Sequence, residues 1–316
     1  VTEEGTFEHG TSTLQLLADP EDAAWWAASR RRLLAARDQR PQPARDDKVV
    51  ASWNGLAVAG LADAGVLLGD PSLVEAARTC ATLVLELHLV DGRLRRVSRD
   101  GRVGAAAGVA DDYGNLAEGL LALHMATGEA RWLTAARGLL DTATGLFAAD
   151  DGGFHDTAAD AEPLFTRPRS PSDNAEPSGQ SALAGALLTC ASLTGDTRQR
   201  RTADEALPAA GGLAATSPRF AGWLLAVAEA ALAGPLQVAV VAPSEDDARG
   251  AELLATARRS TSPGLVLAHG SPDAADTPLL AQRPLVGGGA AAYVCRGFVC
   301  DAPVTDVAAL RAALAR

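Results

Sequence analysis

Ser52-Trp53-Asn54-Gly55 opens a run, Leu56-Ala57-Val58-Ala59-Gly60-Leu61-Ala62-Asp63-Ala64-Gly65-Val66-Leu67-Leu68, that stops at Gly69-Asp70. The run is apolar nearly all round, so as a helix it belongs inside a protein. Gly69 suits the left-handed position just past a helix end, and the acid after it can cap the next helix. Beyond it, Leu73, Ala76, Ala77, Cys80, Leu83, Val84 and Leu87 form a single apolar face, the pattern of a helix packed on one side only. An inner helix, a glycine turn and an outer helix make an αα-hairpin.

The unit recurs. Gly128-Glu129 and Gly195-Asp196 close two further runs, 59 and 67 residues on from the preceding junction. Asp111-Asp112-Tyr113-Gly114 opens the second inner helix, and Pro177-Ser178-Gly179-Gln180 the third. A fourth unit is expected from Ser217-Pro218 to Gly234, and an earlier outer helix from Pro20 to Arg37. Such periodicity marks an architecture in which each unit buries its neighbour. The expected fold is mainly α, a partial (α/α)6 toroid of helical hairpins over 1–234. Past Gly234 the pattern changes to strand (Leu236 to Val241), helix (Glu245 to Arg259), strand (Gly264 to Ala268), strand (Ala291 to Cys295) and helix (Asp306 to Ala315). A small α/β element over 235–316 is therefore expected to pack on the toroid.

Composition narrows the function classes. The chain has 316 residues with 39 acidic against 28 basic side chains, net charge −11, and a single lysine, Lys48. Phosphate binding needs clustered Lys and Arg, so no nucleic-acid partner is expected. No uninterrupted apolar stretch reaches membrane-spanning length, so no membrane partner is expected either. Cys80 and Cys190 fall on apolar helical faces, as small buried hydrophobes do. Cys295 and Cys300 form a C-x4-C pair without nearby His, a poor zinc site; neither a metal nor another cofactor is expected. Gly287-Gly288-Gly289 lacks the Lys-Ser/Thr of a phosphate-binding loop. Gly101 to Gly108 reads as a flexible loop beside the cleft.

In a two-layer toroid the inner helices begin around one mouth, so the residues opening them converge in space. The candidates are Asp46, Asp47, Lys48, Trp53 and Asn54 at the first helix, and Asp111, Asp112 and Tyr113 at the second. His155, Asp156, Arg167, Asp173, Asn174 and Ser178 precede the third. Asp112 and Asp173, with Asp111 and His155, are the expected acid–base groups, since paired carboxylates across a cleft serve glycosidic chemistry and histidine serves proton transfer. Trp53 and Tyr113 would stack on sugar faces, and Asn54, Asn174, Arg167, Lys48 and Ser178 would bind hydroxyls. Lys48 is expected to pair with Asp47, Asp111 or Asp112. Each residue also has a plain structural reading as a helix cap or turn residue. A catalytic site should gather at least two carboxylates and an aromatic in one open pocket; a scaffold should leave them capped or ion-paired.

Several motifs resemble one family. They are Val1-Thr2-Glu3-Glu4-Gly5-Thr6-Phe7-Glu8, Asp47-Lys48, Ser52-Trp53-Asn54-Gly55-Leu56, Asp111-Asp112-Tyr113, Gly152-Gly153-Phe154-His155-Asp156-Thr157, Arg167-Pro168, Asp173-Asn174-Ala175-Glu176-Pro177-Ser178-Gly179 and Ala292-Tyr293-Val294-Cys295. In this order they resemble the YyaL-like, spermatogenesis-associated thioredoxin-domain family. His155 stands where that family usually has a second aromatic. The resemblance implies a six-hairpin, glycosidase-like toroid, preceded in the full-length protein by a thioredoxin-like domain and further hairpins that this chain is expected to lack. It implies a carbohydrate or other small-molecule substrate, handled by a glycoside hydrolase-like or sugar epimerase-like activity. The other reading is a non-catalytic scaffold serving the thioredoxin-like module. A cytoplasmic location is expected.

Overall fold

A computed structural model describes residues 4–13, 15–163, 165–274 and 276–315; Val1, Thr2 and Glu3 of the first motif lie outside them. Two compact units are present, one up to Asp46 and the other from Asp47 onward. In the first, helix α1 (Ala23–Asp38) starts at Asp22, whose carboxylate accepts the N–H groups of Ala24 and Trp25. This is the early helix read from Pro20, and it buries no residue.

The second unit contains the hairpins. They are α2 (Ala51–Leu68) with α3 (Pro71–His88), α4 (Ala110–Thr127) with α5 (Ala130–Phe147), and α6 (Gly179–Thr194) with α7 (Thr197–Ala206). After the short α8 (Gly211–Thr216) comes α9 (Gly222–Ala233). Gly69, Gly128 and Gly195 adopt φ of 70°, 73° and 78°, and each donates its N–H to the last turn of the helix before it. This is the left-handed geometry that a Cβ would strain. Asp70 and Asp196 cap α3 and α7 through their carboxylates. Glu129 caps nothing with its side chain and instead holds Arg78 and Arg131.

The inner helices α2, α4, α6 and α9 pack side by side in chain order, an arc of an α/α toroid. They run with their N-termini at one end. Ser52 donates its N–H to Asp112, Gly179 lies against Ala110, and Asp173, just before α6, accepts the first N–H groups of α9. Glycines permit this closeness: a Cβ on Gly119 would sit 2.3 Å from the Gly55 carbonyl oxygen, and one on Gly55 would sit 2.4 Å from that of Asn115. By length and composition α2 is apolar enough to cross a membrane, a property the count of uninterrupted residues missed because Asp63 breaks the run. Here α2 packs on α3 and α4 with a third of its length buried.

The segment between α3 and α4, of which Gly101 to Gly108 reads as a loop, is largely paired. Strands β1 (Val49–Val50), β4 (Val97–Arg99) and β5 (Arg102–Val103) form an antiparallel sheet, and β2 (Leu89–Val90) pairs with β3 (Arg93–Leu94). The C-terminal sheet has order β7-β6-β8-β9, from β6 (Leu236–Val241), β7 (Val266–Gly270), β8 (Ala291–Arg296) and β9 (Val299–Cys300). Strands β6 and β7 are parallel and joined through α10 (Ala248–Ala257), in the strand–helix–strand order read from the sequence, while β8 runs antiparallel to β6. Alternation divides the two faces. Ala239, Val241, Ala291, Tyr293 and Cys295 join the core of the hairpins, whereas Val238, Val240, Ala292 and Val294 pack beneath α10 and α11 (Val307–Leu314). Cys295 and Cys300, directly opposite across β8 and β9, form a disulfide that the spacing alone did not reveal.

Candidate functional site

The mouth where α4 and α6 begin holds a pocket of about 300 Å³, lined by Val109, Asp111, Asp156, Ser170, Ser172, Asn174, Glu176, Pro177, Ser178 and Gly179. Its position follows from the repeat. Asp111 lies in the first turn of α4, Ser178 caps α6 by accepting the Ser181 N–H, and the return loop after α5 brings Asp156 between them. Positive helix ends at this mouth favour carboxylates. Asp156 accepts the Ser170 N–H with both oxygens, at 3.1 and 3.0 Å. Burial raises its pKa, and nearby Asp111 adds to the rise against the hydrogen bonds from Ser170. Glu176 accepts the Ser52 hydroxyl at 3.3 Å. His155 is half-buried next to Asp156, and its Nδ1 has no hydrogen-bond partner among the described residues.

Arg96 provides the cation. Its Nη1 reaches Asp111 at 3.1 Å and Asp112 at 2.9 Å. Asp112 is fully buried; it also accepts the N–H groups of Ser52 and Val109. Burial pushes its pKa up to about 6, opposed by the Val109 N–H and reinforced by Asp111.

Four of the residues singled out in the sequence line the pocket: Asp111, Asp156, Asn174 and Ser178. Asp112 stands behind them, joined through Arg96. Asp173 does not line the pocket. Its Oδ1 accepts the Ser178 N–H, and its Oδ2 accepts those of Trp223 and Leu224, so it ties the start of α9 to α6. Tyr113 is corrected outright as a stacking wall. It is 1% exposed, packs edge-on to Phe147, and accepts the Leu94 N–H with its hydroxyl. Asn54 turns from the mouth toward α3, where its Oδ1 accepts the Cys80 thiol while its Nδ2 donates to the Val50 carbonyl. Arg167 ties its loop to α5 through the carbonyls of Leu146 and Thr157. Trp53, 53% exposed in the first turn of α2, and exposed Lys48 lie outside the pocket lining.

Asp156 is among the candidates but the sequence assigns it no catalytic role, and Glu176 is not among them. Glu176 sits inside a quoted motif, two residues after Asn174, so its signal was present. Arg96 had none: it lies in the strand-bearing segment, where nothing in the local pattern points to the mouth. Among the described residues the pocket gathers three carboxylates, as expected of a catalytic cleft, but no aromatic ring lines it.

No protein-family model matches the chain. Among curated proteins, spermatogenesis-associated protein 20 of Homo sapiens is 32% identical over 302 residues, 89% of this chain and 38% of that protein. Its Rattus norvegicus counterpart is also 32% identical, and the match covers 37% of that protein. The chain thus belongs to the spermatogenesis-associated protein 20 family, as its motifs imply, and it spans well under half the length of those relatives. Among solved structures, cellobiose 2-epimerase from Spirochaeta thermophila is similar at TM-score 0.44 and 16% identity, over 62% of this chain and 56% of that one. A D-mannose isomerase is similar at TM-score 0.41 and 12% identity, over 51% of this chain and 42% of that one.

Proposed function

We propose that the mouth pocket binds a sugar and performs acid–base chemistry on it, as a hydrolase or an epimerase. One observation carries this reading: Asp111, Asp156 and Glu176, from three separate segments, converge on one pocket rimmed by Ser170, Ser172, Asn174 and Ser178. Carboxylate acceptors interleaved with hydroxyl and amide groups match a ligand that presents many O–H groups. Asp156, its pKa raised by burial, is assigned the proton-donating role. Asp111, held as an ion pair by Arg96, is assigned the accepting role. Glu176 and Asn174 orient the substrate. In this reading the chain is the sugar-handling portion of a longer cytoplasmic protein that also carries a thioredoxin-like module.

The test is a screen of mono- and disaccharides by NMR, which reads binding, hydrolysis and epimerisation together. Asp111→Asn and Asp156→Asn are expected to cut turnover by about 100-fold or more, and Glu176→Gln to weaken binding. A sugar processed equally well by all three variants overturns the assignment. A screen in which nothing binds favours the scaffold reading.

A further inference from the structure

Away from the mouth pocket, a second pocket of about 200 Å³ is lined by Glu118 of α4, by Gly185, Leu188, Thr189 and Ser192 of α6, and by Trp223, Ala226, Val227 and Ala230 of α9, closed by Pro235 and Gly264. Glu118 lies seven residues, about two helical turns, along α4 from Asp111. Its Oε2 is buried without a hydrogen-bond partner among the described residues. Burial, with Asp63 of α2 adding to it, raises the Glu118 pKa to about 7, opposed by hydrogen bonding from Thr189. The charged group acting on this carboxylate is therefore another acid. Among the described residues, a buried carboxylate whose charged neighbour is an acid lacks the counter-charge that stabilises buried ions elsewhere. Trp223 adds an aromatic surface. Its indole lies so close to Gly185 that a Cβ there would meet Nε1 at 3.1 Å, so the glycine admits the ring to the pocket.

We propose that this pocket binds a small primary ammonium ion, its N–H groups donating to Glu118 and its charge lying against the Trp223 ring. An unpaired acceptor asks for a donor, the uncompensated acid asks for a cation, and an indole face attracts cations. Leu188, Ala226, Val227 and Ala230 then cover a short apolar body. The site is independent of the sugar chemistry proposed at the mouth.

n-Butylammonium chloride is the probe and n-butanol its neutral isostere, each titrated while tryptophan fluorescence is followed, with Trp223→Phe separating the Trp223 signal from that of the other tryptophans. Saturable binding of n-butylammonium, at least about tenfold tighter than n-butanol, is expected. Glu118→Gln, verified as folded by circular dichroism, should abolish that preference. Binding should strengthen from about pH 6 to pH 8 as Glu118 ionises; beside it Asp63 is the charged group on α2, while Thr189 on α6 and Trp223 on α9 do not titrate in that range. Nα-acetyl-lysine amide is run in parallel: a stronger response to it makes the ligand a protein lysine, a weaker one a free amine. Equal binding of the alcohol and the ammonium, an unchanged preference in Glu118→Gln, or no saturable binding to the wild type overturns the proposal.

Discussion

Asp112 illustrates a buried carboxylate whose surroundings pull both ways. Burial raises its pKa from 3.8 to about 6, although two N–H groups and Arg96 favour the charged form. A raised folded-state pKa means that the native protein holds this proton to higher pH than the unfolded chain. The contribution to stability is complete below about pH 4 and is lost as pH climbs to about 6. Asp112→Asn should erase that slope in urea unfolding run at several pH values. It should also leave either Ser52 or Val109 with its N–H facing an amide nitrogen, at a cost of about 1–3 kcal/mol. A variant that keeps the wild-type slope would show that another group titrates there. Glu176 offers the opposite case: its carboxylate meets a hydroxyl on the rim of a pocket, so Glu176→Gln should alter ligand binding with a thermal midpoint shift of no more than a few degrees.

Among the elements, α2 supplies its own control for the role of glycine. Gly60 has open space where a Cβ would stand, so Gly60→Ala should stabilise the protein by up to about 1 kcal/mol through helix propensity. Gly119→Ala on the facing helix drives a methyl into the Gly55 carbonyl and should destabilise by about 1–3 kcal/mol or more, because backbone cannot step aside as a side chain can. Chemical denaturation of the two variants settles both signs; equal effects would mean that α2 and α4 are not packed this closely. The hairpins were legible because Gly69, Gly128 and Gly195 end their helices by local backbone geometry, which a sequence displays directly. The mouth was legible only in outline. Whether Asp111 faces a pocket while Asp173 faces the N–H groups of α9 depends on where α9 returns in space, and neither local period nor motif spacing encodes that. Tyr113 misled for a related reason: an aromatic beside two acids looks like a sugar wall until Phe147 and Leu94 close over it.

Across the second unit, the inner arc has two flanking helices with apolar side chains exposed. α2 presents Trp53 and Leu67, and α9 presents Leu225 and, 89% exposed, Leu232. Surface of this kind drives association, so sedimentation should reveal concentration-dependent oligomers, reduced by Leu225→Glu with Leu232→Glu. A strictly monomeric wild type at high concentration would contradict this. The succession of helices also has a bearing on how the chain loses its structure. α2 meets α4, α4 meets α6 and α6 meets α9, each hairpin resting on its neighbours in the sequence. In such a line the middle is clasped from two sides and the ends from one, so cooperativity decays with distance instead of enveloping the whole chain. Amide exchange should be slowest in α4 and α6 and quicker in α2 and α9, and unfolding should begin as fraying from the ends of the arc rather than as one collective event.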